Sequence, residues 1–201
     1  MKEIIFGTTN PGKIAHVQAA LDPLGVKVLN LSGYDSLPEI EEDGQTPEEN
    51  ACKKAVAYCQ AIGQPVLSMD NALYLDDIDK SLQPGMHVRR IPGHAGRPTD
   101  EEVLKYYADL IREHGGRMTG QWKFAICLAF PNGTIKRVTA ISKIRHFTDK
   151  ISSRRMEGYP LESIQIDAAS GKYIAEMTKE ESDKIWQESV GKELQKLFSE
   201  I

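Results

Sequence analysis

The sequence predicts an α/β protein, and three observations carry that reading. A strand, a helix and a second strand follow one another between Lys2 and Leu31, the spacing of a right-handed βαβ unit. Helical stripes then alternate with short apolar runs. Past the middle, "PNG" separates two β-rich runs as a hairpin signal.

Lys2 to Thr8 reads as the first strand. From Lys13 the apolar positions Ile14, Val17, Leu21 and Leu24 recur at helical spacing, and Gly25 stops that helix. Val26 to Leu31 is the second strand, followed by a polar, turn-rich span over 32–46 that holds "EIEEDG". Thr46, Pro47 and Glu49 form an N-cap, a first-turn proline and a capping-box acid. Ala51, Ala55, Cys59 and Ile62 then make a helical stripe ended by Gly63. "PVLSMDNALYL" starts as a buried strand and ends in an acidic, polar turn, with Asp70 closing the strand. Thr99 caps a helix whose inner face is Val103, Tyr107, Leu110 and Ile111. Gln121 to Phe130 and Thr134 to Phe147 are the β-rich runs of a second lobe, and 179–199 is helical.

With 201 residues the chain suits one domain, or two lobes sharing a core, without a separable linker. Apolar residues make up 40% and charged residues 27%, the balance of a soluble globular protein. A net charge of -4 argues against broad nucleic-acid binding, which needs a basic face. Cys52, Cys59 and Cys127 read as buried small apolar residues in a reducing compartment. Neither a secretory signal nor a membrane span of roughly 18 apolar residues is visible, so the expected location is the cytoplasm.

The opening stretch "FGTTNPGK" leads from a strand to a helix N-terminus, which offers backbone N–H groups and a positive dipole end to an anion. Thr8 and Asn10 add side-chain donors and Lys13 a full charge. It is not a Walker A loop, since GxxxxGK[ST] is absent. A capped helix with a solvated lysine is the alternative. Glu41 and Asp70 follow the second and third strands. Two carboxylates beyond the carboxyl ends of parallel strands suit Mg²⁺, which takes one or two of them plus substrate phosphates. The alternative for "EIEEDG" is a solvated acidic loop. "HVRR" at His87 to Arg90 offers two arginines that could grip phosphate, or plain surface charge.

In this order the pieces resemble the Ham1, or inosine triphosphate pyrophosphatase, family across nearly the whole chain. The family's T-x-N-x-x-K loop is Thr8, Asn10 and Lys13. Its acid three residues before a glycine is Glu41 before Gly44, and its E-N-A-x-x-K-A is "ENACKKA", with Lys54 as the lysine. D-D-S-G corresponds to "MDNA", P-G-x-x-x-x-R to Pro84, Gly85 and Arg90, and G-F-G-Y-D-P to "GYPLES". "YIAEM" resembles the A-E-M stretch before the last helix.

The resemblance implies hydrolysis of non-standard purine nucleoside triphosphates to monophosphate and pyrophosphate. It implies an elongated central mixed sheet flanked by helices, two lobes with the site in the cleft between them, and a homodimer. Asp70, Lys13 and Lys54 would be catalytic, and Glu41 and Asp70 would carry Mg²⁺. Thr8, Asn10, Lys13, Lys54 and Arg90 would hold the triphosphate. Thr9, Asn71, Tyr159, Glu162, Trp186 and Gln187 complete the substrate-binding set. The partner is a nucleoside triphosphate, not a nucleic-acid polymer and not a membrane.

The departures cluster. Met69 replaces the first acid of D-D-S-G, and Asn71 and Ala72 replace its Ser and Gly. His16 stands where a glutamate is usual, and Leu161 and Glu162 where F-G-Y-D has its aromatic and acid. Trp186, Gln187 and Glu188 replace the S-H-R that serves the purine keto group. The phosphate end is kept and the base end rewritten. Trp186 and Gln187 either stack and pair with a different base or pack the helix. The function is then a pyrophosphatase of altered base preference, or a nucleotide-binding protein that has lost catalysis.

Overall fold

The computed structural model describes residues 2–34 and 36–199. Of the turn-rich span over 32–46, Asp35 lies outside the described residues. Strand β1 (Glu3–Phe6) is buried after its first residue. Helix α1 (Pro11–Leu21) begins because the Asn10 side chain accepts from the N–H groups of Gly12 and Lys13, while Pro11 fills a first-turn position that needs no donor. The chain then tightens into a 3-10 turn, Asp22–Leu24, closed by Gly25 at φ 64°. That turn carries Leu24 off the inner stripe, and it is 42% exposed. Strand β2 (Lys27–Leu29) pairs parallel with β1.

Helix α2 (Pro47–Ile62) is capped by Thr46, which accepts from Glu49 N–H. The Glu49 carboxylate accepts from Gln45 N–H, not from the cap residue, so the expected capping box is offset by one position. The small residues Ala51, Ala55 and Cys59 are buried with Ile5, Val66, Ala125 and Cys127. Small side chains on that stripe let the helix lie close to the sheet.

Strand β3 (Val66–Leu75) corrects the expectation that a strand ends at Asp70. It runs on because Ala72, Leu73 and Leu75 are buried and keep the chain extended in the core. Its parallel pairing with β1 nevertheless reaches only Phe6↔Leu67. Helix α3 (Asp100–Glu113) has a complete capping box between Thr99 and Glu102, and buries Val103, Tyr107, Leu110 and Ile111 as expected.

Strands β4 (Arg117–Ala129) and β5 (Ile135–Ile141) are the hairpin around "PNG", antiparallel from Lys123↔Ile141 to Ala129↔Ile135. The second β-rich run is broken after Ile141, and β6 (Arg145–Thr148) pairs instead with the first residues of β4. Strand β7 (Gln165–Ile166) pairs antiparallel with β6. The final helical span is two helices, α4 (Lys179–Trp186) and α5 (Lys192–Ser199), joined by a π turn over Gln187–Gly191. Together the strands form a seven-stranded mixed sheet in the order β2-β1-β3-β4-β6-β7, with β5 on β4.

The chain divides into two compact units. One holds the chain up to Asn71, Lys123–Ile141 and the chain from Ile185. The other holds Ala72–Trp122 and Ser142–Lys184. The PNG hairpin thus belongs with the N-terminal strands rather than to a lobe of its own. In the second unit, α3 packs Val103, Leu104, Tyr107 and Ile111 against Leu73, Leu75, Met118, Phe147, Leu161 and Ile164.

The cysteines are also corrected. The close seat of α2 brings Cys52 onto β4, where it forms a disulfide with Cys127, and Cys59 alone is free and buried. No helix among the described residues is long and apolar enough to cross a membrane.

Candidate active site

Asp70 is the centre of a polar cluster in the first unit. It lies on β3 just past the last parallel pair with β1 and is 9% exposed. Asn50 Nδ2 donates to Asp70 Oδ2 at 3.2 Å, and Lys54 Nζ stands 3.7 Å from Asp70 Oδ1. Asn50 and Lys54 are one turn apart on α2, so both reach the same strand. Lys54 Nζ also donates to the Met69 carbonyl at 3.3 Å and to Glu42 Oε1 at 2.6 Å. Strand alternation turns the Met69 side chain into the core, 4% exposed, away from the Asp70 face.

Asn50 has a second task. Its Oδ1 accepts from Gly44 N–H at 2.8 Å, so one buried amide ties the acidic loop to β3. A Cβ at Gly44 would sit 2.6 Å from that oxygen. The loop is thereby set so that Glu42, not Glu41, reaches Lys54; Glu41 is exposed. Asn50 was inside the quoted "ENACKKA" yet carried no role in the sequence reading. Its signal was available: an amide one turn before the motif lysine.

The opening loop is built as a cap. Thr8 Oγ1 accepts from Asn10 N–H at 3.2 Å, and Asn10 Oδ1 accepts from Gly12 N–H at 2.9 Å and Lys13 N–H at 3.2 Å. Two helix N-terminal donors are therefore already used. The side-chain donors left for an anion include the Thr8 hydroxyl, the Asn10 amide nitrogen and the Lys13 ammonium. Burial lowers the Lys13 pKa, and the Lys54 charge lowers it further, while Asp70 and Glu42 pull it back. Lys13 makes no ion pair with any described residue. Gly7 is required by close approach: a Cβ there would lie 2.3 Å from Ser68 Oγ. Ser68 Oγ and Asn71 Oδ1 are buried without a hydrogen-bond partner among the described residues.

At the rewritten base end, Trp186 stacks on His16 with centroids 4.9 Å apart and tilts against Phe124 at 5.5 Å. Gln187 folds back over the π turn, its Oε1 only 2.0 Å from where a Cβ on Gly191 would stand. Thr9 is exposed.

The second unit holds the other three expected residues. Arg90 is exposed, and it is Arg89 that is engaged, pairing with Asp100 at 2.5 Å. Asp100 also accepts from Gly158 N–H at 2.7 Å, which links the arginine loop, α3 and "GYPLES". Tyr159 caps the 3-10 turn Pro160–Ser163, and Glu162 lies within it. Burial pushes the Glu162 carboxyl up to about 7, against an opposing pull from Arg145. Burial raises the Tyr159 hydroxyl as well, and the Glu162 charge adds to it. Glu162 Oε2 has no hydrogen-bond partner among the described residues.

A pH dependence follows. Between about pH 4.5 and 7 the folded chain keeps a proton on Glu162 that the unfolded chain has released, so stability falls as pH rises through that window. The loss is on the order of 2 kcal/mol after allowance for partial solvent screening. Urea denaturation at both ends of the window should show Glu162→Gln losing less stability than wild type. Parallel losses in the two proteins would refute the burial argument.

A sequence model of the Ham1 family matches residues 4–196. The chain belongs to the Ham1 family. The relatives include a dITP/XTP pyrophosphatase of Bacillus subtilis, 31% identical over 189 residues that span 92% of this chain and 90% of the relative. Another, from Exiguobacterium sp., is also a dITP/XTP pyrophosphatase, 31% identical over 199 residues, or 99% of this chain and 96% of the relative. Solved Ham1 structures share the fold. The HAM1 protein of Coxiella burnetii superposes with a TM-score of 0.79 at 22% identity, and the Staphylococcus aureus Ham1 protein with 0.74 at 22%, each over 100% of both chains.

Proposed function

We propose that this Ham1 protein hydrolyses nucleoside triphosphates to the monophosphate and pyrophosphate, clearing unwanted nucleotides from the pool, with a base preference shifted away from inosine and xanthosine. The observation that carries the proposal is the Asn50–Asp70–Lys54–Glu42 cluster beside Lys13. The names of relatives about 30% identical support the same reaction class.

Water adds to the α-phosphorus, the bond to the β-phosphate bridge breaks, and pyrophosphate leaves. Asp70 accepts the proton of the attacking water. Asn50 orients that carboxylate, and Lys54 neutralises charge on the leaving phosphates. Lys13, without a direct ion pair to any described residue and partly desolvated, gains most from meeting a phosphate. Thr8, Asn10 and Arg90 add donors to the triphosphate.

The donor set fits Mg²⁺ shared with the substrate. Asp70 and Glu42 both approach Lys54, with Glu41 next in the loop, and no group of three or more His, Cys, Asp or Glu among the described residues makes an all-protein cage. When bound, Mg²⁺ would neutralise phosphate charge.

The base preference rests on lost positive charge. Gln187, a neutral amide, and Glu188, an acid, stand where the family's His-Arg pair favours a keto oxygen, and replacing those cationic donors weakens recognition of that oxygen. Trp186, Gln187, Tyr159, Glu162, Asn71 and Thr9 are the residues assigned to the nucleoside side. The reading includes a homodimer, in the cytoplasm, acting on free nucleotides; the net charge of -4 supports the last point.

A panel of standard and modified nucleoside triphosphates, assayed with Mg²⁺ for pyrophosphate release, tests both parts. Turnover without a hundredfold preference for inosine or xanthosine triphosphate is expected. Such a preference, about 2.7 kcal/mol, would overturn the base assignment. Binding without turnover would favour the catalytically lost reading, which Met69 in place of an acid motivates.

A further inference from the structure

Helix α2 meets the sheet on two sides. Asn50 and Lys54 face Asp70 of β3, whereas Cys52, between them in sequence, turns the other way and is bonded to Cys127 of β4. Two residues along a helix is just over half a turn, so the two contacts grip α2 from different directions. The Cα atoms are 5.1 Å apart, within the range a disulfide spans. The two residues differ in burial. Cys127 is 0% exposed, while Cys52 is only partly buried. Cys59, on the same helix, is buried and unpaired.

We infer that Cys52 and Cys127 are a reversible thiol–disulfide modification site whose oxidation state sets how firmly α2, and with it Asn50 and Lys54, is held on the sheet. The exchange partner is a low-molecular-weight thiol and its disulfide. In reduction, a thiolate attacks the sulfur of Cys52, the less buried residue of the pair, forming a mixed disulfide there and releasing Cys127 as a thiolate that takes up a proton. A second thiolate attacks the outer sulfur of that mixed disulfide and frees Cys52. The protein disulfide gains two electrons and two protons, and two small thiols leave as one small disulfide. Oxidation is the reverse. The bridge closes a loop of 75 residues, so it removes much freedom from any state in which α2 has left the sheet. Neither step depends on the nucleotide reading.

The test needs no nucleotide. The full chain is equilibrated with oxidised or reduced glutathione and alkylated under denaturing conditions, and modified cysteines are counted by mass spectrometry. One alkylated cysteine is expected in the oxidised sample and three in the reduced. Amide hydrogen exchange over α2 should be faster in the reduced sample by about tenfold or more. A Cys52→Ser/Cys127→Ser double variant should show the faster exchange in both buffers. Should that variant fail to fold, Cys59→Ser serves instead: it keeps the pair, and its count should move from none to two. Three alkylated cysteines after equilibration with oxidised glutathione, or equal exchange in the two states, would overturn the inference.

Discussion

Asp70→Asn is expected to abolish pyrophosphate release, by about a thousandfold or more in kcat, while the fold and nucleotide binding persist. The carboxylate serves two neighbours at once, accepting from Asn50 Nδ2 and facing Lys54 Nζ through its other oxygen. An asparagine has one acceptor oxygen, so one neighbour meets an NH₂ group instead. The variant also loses the proton acceptor and a negative charge beside the phosphates. Lys13 and the loop from Thr8 are untouched, so triphosphate affinity should survive. Steady-state kinetics paired with calorimetric titration checks both halves. A kcat within tenfold of wild type would remove Asp70 from the chemistry.

Asn50→Leu should be the most damaging change outside the acids. The side chain is 2% exposed and holds two partners, the Asp70 carboxylate and the Gly44 N–H. Leucine fills a similar space and satisfies neither. One buried carboxylate oxygen, Asp70 Oδ2, and a backbone donor left without their partners cost about 2–4 kcal/mol, which for a chain this long lowers Tm by roughly 6–12 °C. Turnover should fall by about a hundredfold, because Asp70 loses its orienting donor. Thermal melts with kinetics at a temperature where both proteins are folded separate the two effects. A Tm within about 2 °C of wild type would show that Asn50 is replaceable.

The α/β order was legible because it rests on local signals. Asn10, Thr46 and Thr99 cap helices where side-chain oxygens meet free N–H groups, and Gly25 and Gly63 end them. What was hidden depends on pairing. Nothing local in "MDNALYL" says that the strand runs past an aspartate; that follows from burial of Ala72, Leu73 and Leu75. The π turn at Gln187 was equally silent, since its pattern reads as continuous helix. At the site, Asp70 was legible from its charge beside an apolar strand, Lys13 from its place at the start of a helix, and Lys54 only through the family resemblance. Asn50 was missed because its importance lies in joining Asp70 of β3 to the Gly44 loop, which only the fold reveals, and Glu42 because one loop position is decided by a tether the sequence does not display. Cys52 and Cys127 lacked any short spacing to suggest that they meet.

That tether also divides the connection between β2 and α2 into two stretches with different tolerance for length. From Glu42 to Asn50 the chain is held at both ends, by the ion pair to Lys54 and by the Gly44 N–H on Asn50. Even one residue inserted there would pull the acid off the lysine or the glycine off the amide. Upstream, over 38–41, no such fastening to the described residues exists, and insertions cost little beyond loop entropy. An engineer wishing to splice a sequence into this connection should therefore cut before Glu42, and an acid sought in a longer or shorter version should be counted backward from the helix rather than forward from the strand.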